Sequence, residues 1–325
     1  MKIFITGGAG YVGSKLVPKL LDIGHSVTVL DLMIYGEEVL KNHKNLKKIK
    51  GDIRNQDLLK KNIPGHDATI HLACISNDPS FELNPSLGKS INYDAFQPLV
   101  KISKGSNVHR FIYASSSSVY GIKKEKNVTE DMKLEPLTDY SKFKGMCEKI
   151  LNENKAEDFI VTTIRPSTVC GYALRQRLDL VVNILTNHAY HKKKIRVFGG
   201  KQLRPNIHIN DMVDSYISIL NADSKKVNGE IFNVGFRNQT VDELAFDVRK
   251  VIGNDVQIVH EKSDDNRSYH VSSNKIREIL NFETKFSIQD GVRDLQNAFS
   301  KGLLKDSFVD EKYFNIKKMQ SIHLS

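Results

Sequence analysis

The chain has no tryptophan, three cysteines and eight prolines in 325 residues. Cys74, Cys147 and Cys170 lie far apart, without the paired spacing of a zinc site or a redox disulfide, so buried thiols in a reducing compartment are expected and no metal. No apolar run approaches the roughly 20 residues that a membrane helix needs, so no membrane partner is expected. The first residues read at once as a core strand, which leaves no room for a leader and points to the cytoplasm. Among the scattered histidines, His188 and His191 sit in a basic, polar stretch and read as surface rather than as ligands.

Acidic residues are also in short supply: 48 lysines and arginines against 38 aspartates and glutamates leave a net charge of +10. A basic surplus attracts polyanions. Here, however, the lysines are dispersed in short runs such as Lys47-Lys48, Lys123-Lys124 and Lys192-Lys193-Lys194, with no nucleic-acid motif around them. A solvated lysine-rich surface is the reading, with a field that favours a small anionic substrate and no nucleic-acid partner.

What is present begins with the strand Lys2-Ile3-Phe4-Ile5-Thr6, which runs into Gly7-Gly8-Ala9-Gly10-Tyr11-Val12-Gly13 and then a helical pattern of Leu16, Val17, Leu20 and Leu21. A strand, a glycine-rich turn and a helix start make a pyrophosphate cradle. Gly7 permits the sharp turn, Gly10 the close approach of the phosphates, and Gly13 the tight packing of helix on sheet, with Tyr11 and Val12 of the same loop as further cofactor-binding candidates. The second strand, Ser26 to Leu30, ends on Asp31, where a carboxylate accepts from a ribose diol and repels a 2′-phosphate. NAD is therefore expected as the cofactor, not NADP.

Further strands follow at Leu46–Lys50, Ala68–Ala73, Arg110–Ala114 and Phe159–Ile164, with helical stretches between them, notably Ser86–Gly105 and one beginning near Asp139. This alternation predicts an α/β fold, a Rossmann-type doubly wound parallel sheet over residues 1–170. Asp52 and Ile53 border the expected adenine pocket; Leu72, Ala73 and the polar loop with Ser76 lie at a strand's carboxyl end, where such sheets bind ligands. Residues 171–325 read as a smaller mixed α/β substrate domain with helices at 178–190, 211–220 and 241–252. Segments near 206–234 are expected to return to the main sheet, and the polar tail after Gly302 to be loosely held.

The strand Arg110–Ala114 opens onto four serines, Ser115 to Ser118, followed by Val119-Tyr120-Gly121. Downstream, Tyr140 and Lys144 stand four apart and share a helix face, whereas Lys142 points elsewhere. An ammonium beside a phenol pulls its pKa down from about 10, which suits the tyrosine to remove a hydroxyl proton while hydride leaves the same carbon.

With GGAGYVG at Gly7–Gly13, SSSVYG at Ser116–Gly121 and the pair Tyr140 and Lys144, the chain resembles the extended short-chain dehydrogenase/reductase family, in its nucleotide-sugar epimerase/dehydratase branch. The likeness extends to Arg204–His208 with Asp211, and to Asp265–Arg267 with Tyr269. It implies that Tyr140 is the base, Lys144 its partner and a ribose ligand, and Ser116 the hydroxyl that steadies the substrate, with Ser115 as the rival. It also implies that Arg204 and Arg267 clamp the diphosphate of a nucleotide-diphosphate sugar, with Ser76, Ser117 and Asn183 facing the substrate, and that the chain forms a homodimer. Dehydratases of this family resemble one another in an Asp-Glu pair after the active-site hydroxyl, and here those places hold Ser117 and Ser118. Ser272 stands where relatives often carry Asp. The expectation is an epimerase, acting at carbon 4 through a transient 4-keto intermediate; a nucleotide-sugar dehydrogenase or keto-sugar reductase, and more remotely a non-catalytic NAD-binding protein, are the alternatives.

Overall fold

The computed structural model describes residues 1–125, 127–262, 268, 270–322 and 324. In chain order its strands are β1 (Lys2–Thr6), β2 (Ser26–Asp31), β3 (Leu46–Lys50), β4 (Ala68–His71), β5 (Arg110–Ala114), β6 (Ile160–Pro166), β7 (Thr168–Cys170), β8 (Lys194–Phe198), β9 (Leu203–His208), β10 (Glu230–Val234), β11 (Arg237–Thr240) and β12 (Gln257–Glu261). Seven of them form one parallel sheet in the order β10-β6-β5-β4-β1-β2-β3. The order runs outward from β1 in both directions, so the crevice beyond the carboxyl ends of β1 and β4 is the switch point where such folds hold ligands.

The central strands are apolar on both faces because helices cover both. Ile3, Phe4 and Ile5 of β1 are fully buried. On one face the first helix (Gly13–Asp22) and the helix Ile209–Asn221 pack Leu16, Val17, Leu20, Met212 and Tyr216 against the sheet. On the other, Phe96, Leu99, Val100, Cys147 and Leu151 meet Phe4, Phe111 and Tyr113. A third core of Val182, Leu185, Val197, Leu244, Val248 and Val292 lies among the helices after Gly171 and the parallel pair β8 and β12.

Three sequence expectations change. The helix expected over Ser86–Gly105 is Pro85–Lys89, a wider π-type turn at Ser90–Asp94, then Phe96–Gly105. The wide turn aims Asn92 at the loop after β4, where its side chain accepts from the Ile75 N–H (2.8 Å) and donates to the Ile75 carbonyl (2.9 Å). Of the segments near 206–234, β10 joins the large sheet, whereas β9 forms a separate three-stranded sheet between β7 and β11. The tail after Gly302 is held as far as Ser321: Leu304 and Tyr313 pack with Leu178, Leu295 and Phe299, and the helix Asn315–Ser321 follows. Spaced apolar residues in a polar tail suffice to anchor it when the body offers a matching groove.

Candidate active site

β1 ends at Gly7, whose φ of +75° is left-handed and whose added Cβ would lie 2.4 Å from the Ala73 nitrogen. At Gly13 an added Cβ would lie 2.4 Å from the Gly8 carbonyl oxygen, so helix and loop touch backbone to backbone. From the end of β2, Asp31 accepts from the Ala9 N–H (2.9 Å) and the Met33 N–H (2.8 Å), which ties the glycine loop to the strand. Burial raises the Asp31 pKa, against those two hydrogen bonds and the charge of Arg175. Beside it, Arg54 grips the Asp52 carboxylate at 2.7 Å; burial alone would raise the Asp52 pKa, but Arg54 outweighs it and holds it low.

One cavity of about 460 Å³ runs from this loop across the ends of β1, β4 and β5. It is lined by Gly7, Gly10, Tyr11, Val12, Gly13, Asp31, Asp52, Ile53, Leu72 and Ala73, the expected cofactor residues. Ser76, Ser116, Ser117, Tyr140, Lys144 and Arg204 line the same cavity. Arg204 donates from Nη1 to the Leu203 carbonyl (3.0 Å). Arg267, with Asp265 and Tyr269, lies outside the described residues.

The helix Asp139–Glu153 begins in a capping box made by Thr138 and Ser141, and Thr138 also donates to Asp78 (2.5 Å). Successive turns then present Tyr140, Lys144 and Glu148 on one face. Lys144 is buried, donates to the Ala114 carbonyl at the end of β5 (2.7 Å), and holds its Nζ 5.9 Å from the Tyr140 ring centre. Ser116 caps the short turn Ser117–Tyr120, accepting from the Ser118 N–H (3.1 Å) and sharing a hydrogen bond with the Ser118 hydroxyl (2.8 Å). Ser115 donates instead to Glu148, which forms a buried ion pair with Arg165 at 2.7 Å. Its hydroxyl is thereby committed to the interior, and Ser116 is the one beside Tyr140.

Two expectations are corrected. Tyr140 is raised well above the usual tyrosine range, not lowered, and first by burial; the Arg177 charge and the Ser116 hydroxyl oppose this. Asn183 does not face the cavity: fully buried, it accepts from the Gly171 N–H (3.1 Å) and donates to the Tyr11 hydroxyl (3.0 Å) and the Arg177 carbonyl (2.8 Å). Tyr11 in turn donates to the Gly171 carbonyl (2.5 Å), so Asn183 fastens the glycine loop to the loop after β7.

Residues 3–235 match the family described as the NAD dependent epimerase/dehydratase family. The chain belongs to this family. Among curated relatives of this epimerase/dehydratase chain, a UDP-glucose 4-epimerase of Lactobacillus helveticus is 28% identical over 313 residues, covering 90% of this chain and 94% of that one. A dTDP-glucose 4,6-dehydratase of Streptomyces niveus is 26% identical over 312 residues, covering 90% of each. Among solved structures, the UDP-glucose 4-epimerase of Thermotoga maritima with UDP-glucose superposes with a TM-score of 0.84 at 24% identity, over 93% of this chain and 100% of that one. The cofactor of the family is NAD, and the cradle fits it: Gly7 and Gly13 leave no room for side chains, and a carboxylate stands at the end of β2.

Sequence reasoning missed several groups that the epimerase/dehydratase fold brings to the cavity. Arg177 forks onto Asp179 (2.8 and 3.1 Å) and reaches Ser76 at 3.4 Å. Asn315, from the tail, donates to the Ser76 hydroxyl (2.8 Å) and accepts from the Tyr35 hydroxyl (3.0 Å). The arginines sit in the loop Tyr172–Asp179, and two arginines flanking a glutamine so near a strand's carboxyl end were the available signal. For Asn315 no local signal exists, because it is brought in from 239 residues beyond Ser76.

Proposed function

We propose that this chain is a nucleotide-sugar 4-epimerase. The observation that carries the proposal is that Ser116, Tyr140 and Lys144 line the cavity that also holds the glycine loop; Ser117 and Ser118, at the places where the family resemblance leads one to expect an Asp-Glu pair in a dehydratase, support it. NAD, when bound, supplies the acceptor and later the donor of a hydride. Tyr140 takes the proton of the sugar hydroxyl, with the Arg177 charge and the Ser116 hydroxyl working against the burial that raises its pKa, and Ser116 holds the sugar oxygen in line. Lys144, anchored on Ala114, keeps a positive charge beneath the ring. Return of the proton and hydride to the opposite face of a 4-keto sugar completes an inversion without net redox change.

Arg204 is assigned to the sugar-nucleotide diphosphate, and Ser76 and Ser117 to the sugar. The substrate is a nucleotide-diphosphate sugar, in keeping with the UDP-glucose that accompanies the Thermotoga maritima epimerase in its crystal structure. Incubation with UDP-, GDP-, dTDP- and CDP-sugars in the presence of NAD, read by NMR and mass spectrometry, tests this. A 4-epimer of unchanged mass with no accumulation of NADH is expected. A product lighter by one water would establish a dehydratase, and stoichiometric NADH a dehydrogenase; either result overturns the proposal. We further propose a homodimer paired through the helices of residues 85–105 and 139–153, and light scattering that gives a monomer refutes it.

A further inference from the structure

Arg175 is 3% exposed, yet among the described residues no carboxylate lies within ion-pair distance of it. Its Nε has no hydrogen-bond partner, its Nη1 reaches the Gln176 carbonyl at 3.4 Å, and its Nη2 donates to the Asn315 side chain. Its guanidinium carbon lies over Tyr35, 3.7 Å from the ring centre. Asp31 and Asp179 act on its charge only from beyond contact, and a buried guanidinium with a free Nε can still take up an anion directly.

Its position says which anion. The Arg175 N–H donates to the Ser14 hydroxyl (3.3 Å), which donates to the Tyr11 carbonyl (3.0 Å), so Arg175 is tied to the first turn of the helix after the glycine loop. That helix start is where a dinucleotide's diphosphate rests. Arg175, Tyr35, Asp31 and Gly10 line the same cavity. Asp31, at the end of β2, belongs to the adenosine ribose, which leaves the diphosphate as the anion between ribose and helix.

We propose that Arg175 is a cofactor-binding residue that clasps the NAD diphosphate from the side opposite the glycine loop, and that Asn315 of the C-terminal segment positions it. The clasp is built by chain outside the glycine-loop unit. It draws on the loop after β7 and on the tail, with Tyr35 packed against its guanidinium. Asn315 also donates its backbone N–H to Asp179 (2.9 Å) and its side chain to Ser76, so the tail links the cofactor end of the cavity to its other wall. The inference holds whichever sugar the enzyme acts on.

Calorimetric titration of the full chain with NAD, ADP-ribose, adenosine and NADP tests it, with folding checked by circular dichroism. Arg175→Gln is expected to weaken NAD and ADP-ribose by roughly ten- to a hundredfold, the worth of a charged hydrogen bond, and adenosine by less than about twofold. Arg175→Lys is expected to recover part of the loss. Equal weakening of all ligands, adenosine included, would mean that Arg175 only shapes the pocket and would overturn the proposal. A loss confined to NADP would assign it to a 2′-phosphate and overturn it equally. Should Arg175→Gln fail to fold, Asn315→Ala keeps the arginine and frees its Nη2. A loss of roughly threefold or more on NAD and ADP-ribose alone then supports the clasp, and no loss refutes it.

Discussion

Glu148→Gln isolates the charge that holds the serine turn in place. Glu148 and Arg165 pair at 2.7 Å with side chains only 4% and 3% exposed, so water screens neither. Arg165 continues to the Tyr120 hydroxyl (2.7 Å) and the Glu130 carbonyl (3.1 Å), and Tyr120 donates to Asn233 of β10 (2.7 Å). One carboxylate thus fixes Ser115, Arg165 and, through Arg165, the end of the turn that carries Ser116. Glutamine keeps the shape and an acceptor for Ser115, but sets an NH2 group or a neutral oxygen against a guanidinium left buried without a counter-charge. Breaking a buried pair in this way costs about 3–5 kcal/mol. With an unfolding entropy of about 2.1 cal/mol/K per residue, the 325-residue chain should lose about 4–7 °C in Tm. Scanning calorimetry measures this without cofactor, and kcat with the sugar nucleotide should fall because Ser116 loses its support. Replacing both partners, Glu148→Leu with Arg165→Met, should recover part of the loss, since no lone charge then remains. A Tm within about 1 °C of the parent in the single variant would refute the reasoning, showing the arginine sufficiently held by Tyr120 and Glu130.

Tyr140→Phe should lower kcat by roughly 10²- to 10⁴-fold with NAD affinity intact; unchanged turnover would remove Tyr140 as the base. The Asp31 carboxyl, its pKa raised by burial, accepts from both hydroxyls of a ribose diol most strongly when ionised, so NAD affinity should rise with pH through its titration and level off above it. Calorimetry on Asp31→Asn should show weaker binding without that acid limb, and a limb that survives refutes the assignment. His71, buried beside Phe96 and Tyr113 and hydrogen-bonded to Thr6 at 2.6 Å, is pushed down to about 3, first by burial and then by Lys144. The unfolded chain binds that proton below about pH 6.5, so stability should fall by about 1.4 kcal/mol per pH unit from there towards pH 3. Urea titrations at pH 6 and pH 5 should show this slope reduced in His71→Leu; equal slopes in both chains would count against it.

Local patterns carried the sheet. The apolar run of β1, the glycines after it and Asp31 at the end of β2 are consecutive or nearly so in the chain, and close-range sterics and hydrogen bonds force what they do. The shared face of Tyr140 and Lys144 was legible for the same reason, since helical geometry alone sets it. Asn183 was misplaced because the resemblance that put it on the substrate does not fix the side its helix turns to the cavity, which is set by packing against Tyr11, 172 residues away.

By itself, then, the sequence determined the strand and helix order, the dinucleotide cradle and the helix that carries Tyr140 and Lys144, all products of contacts within a few residues. Only the tertiary structure decided that Ser116 rather than Ser115 meets Tyr140, that Arg177 is the charge opposing burial of that phenol, and that Arg175 and Asn315 reach the cofactor end of the cavity. These depend on burial and on partners brought from distant parts of the chain, and burial is a property of the whole packed molecule.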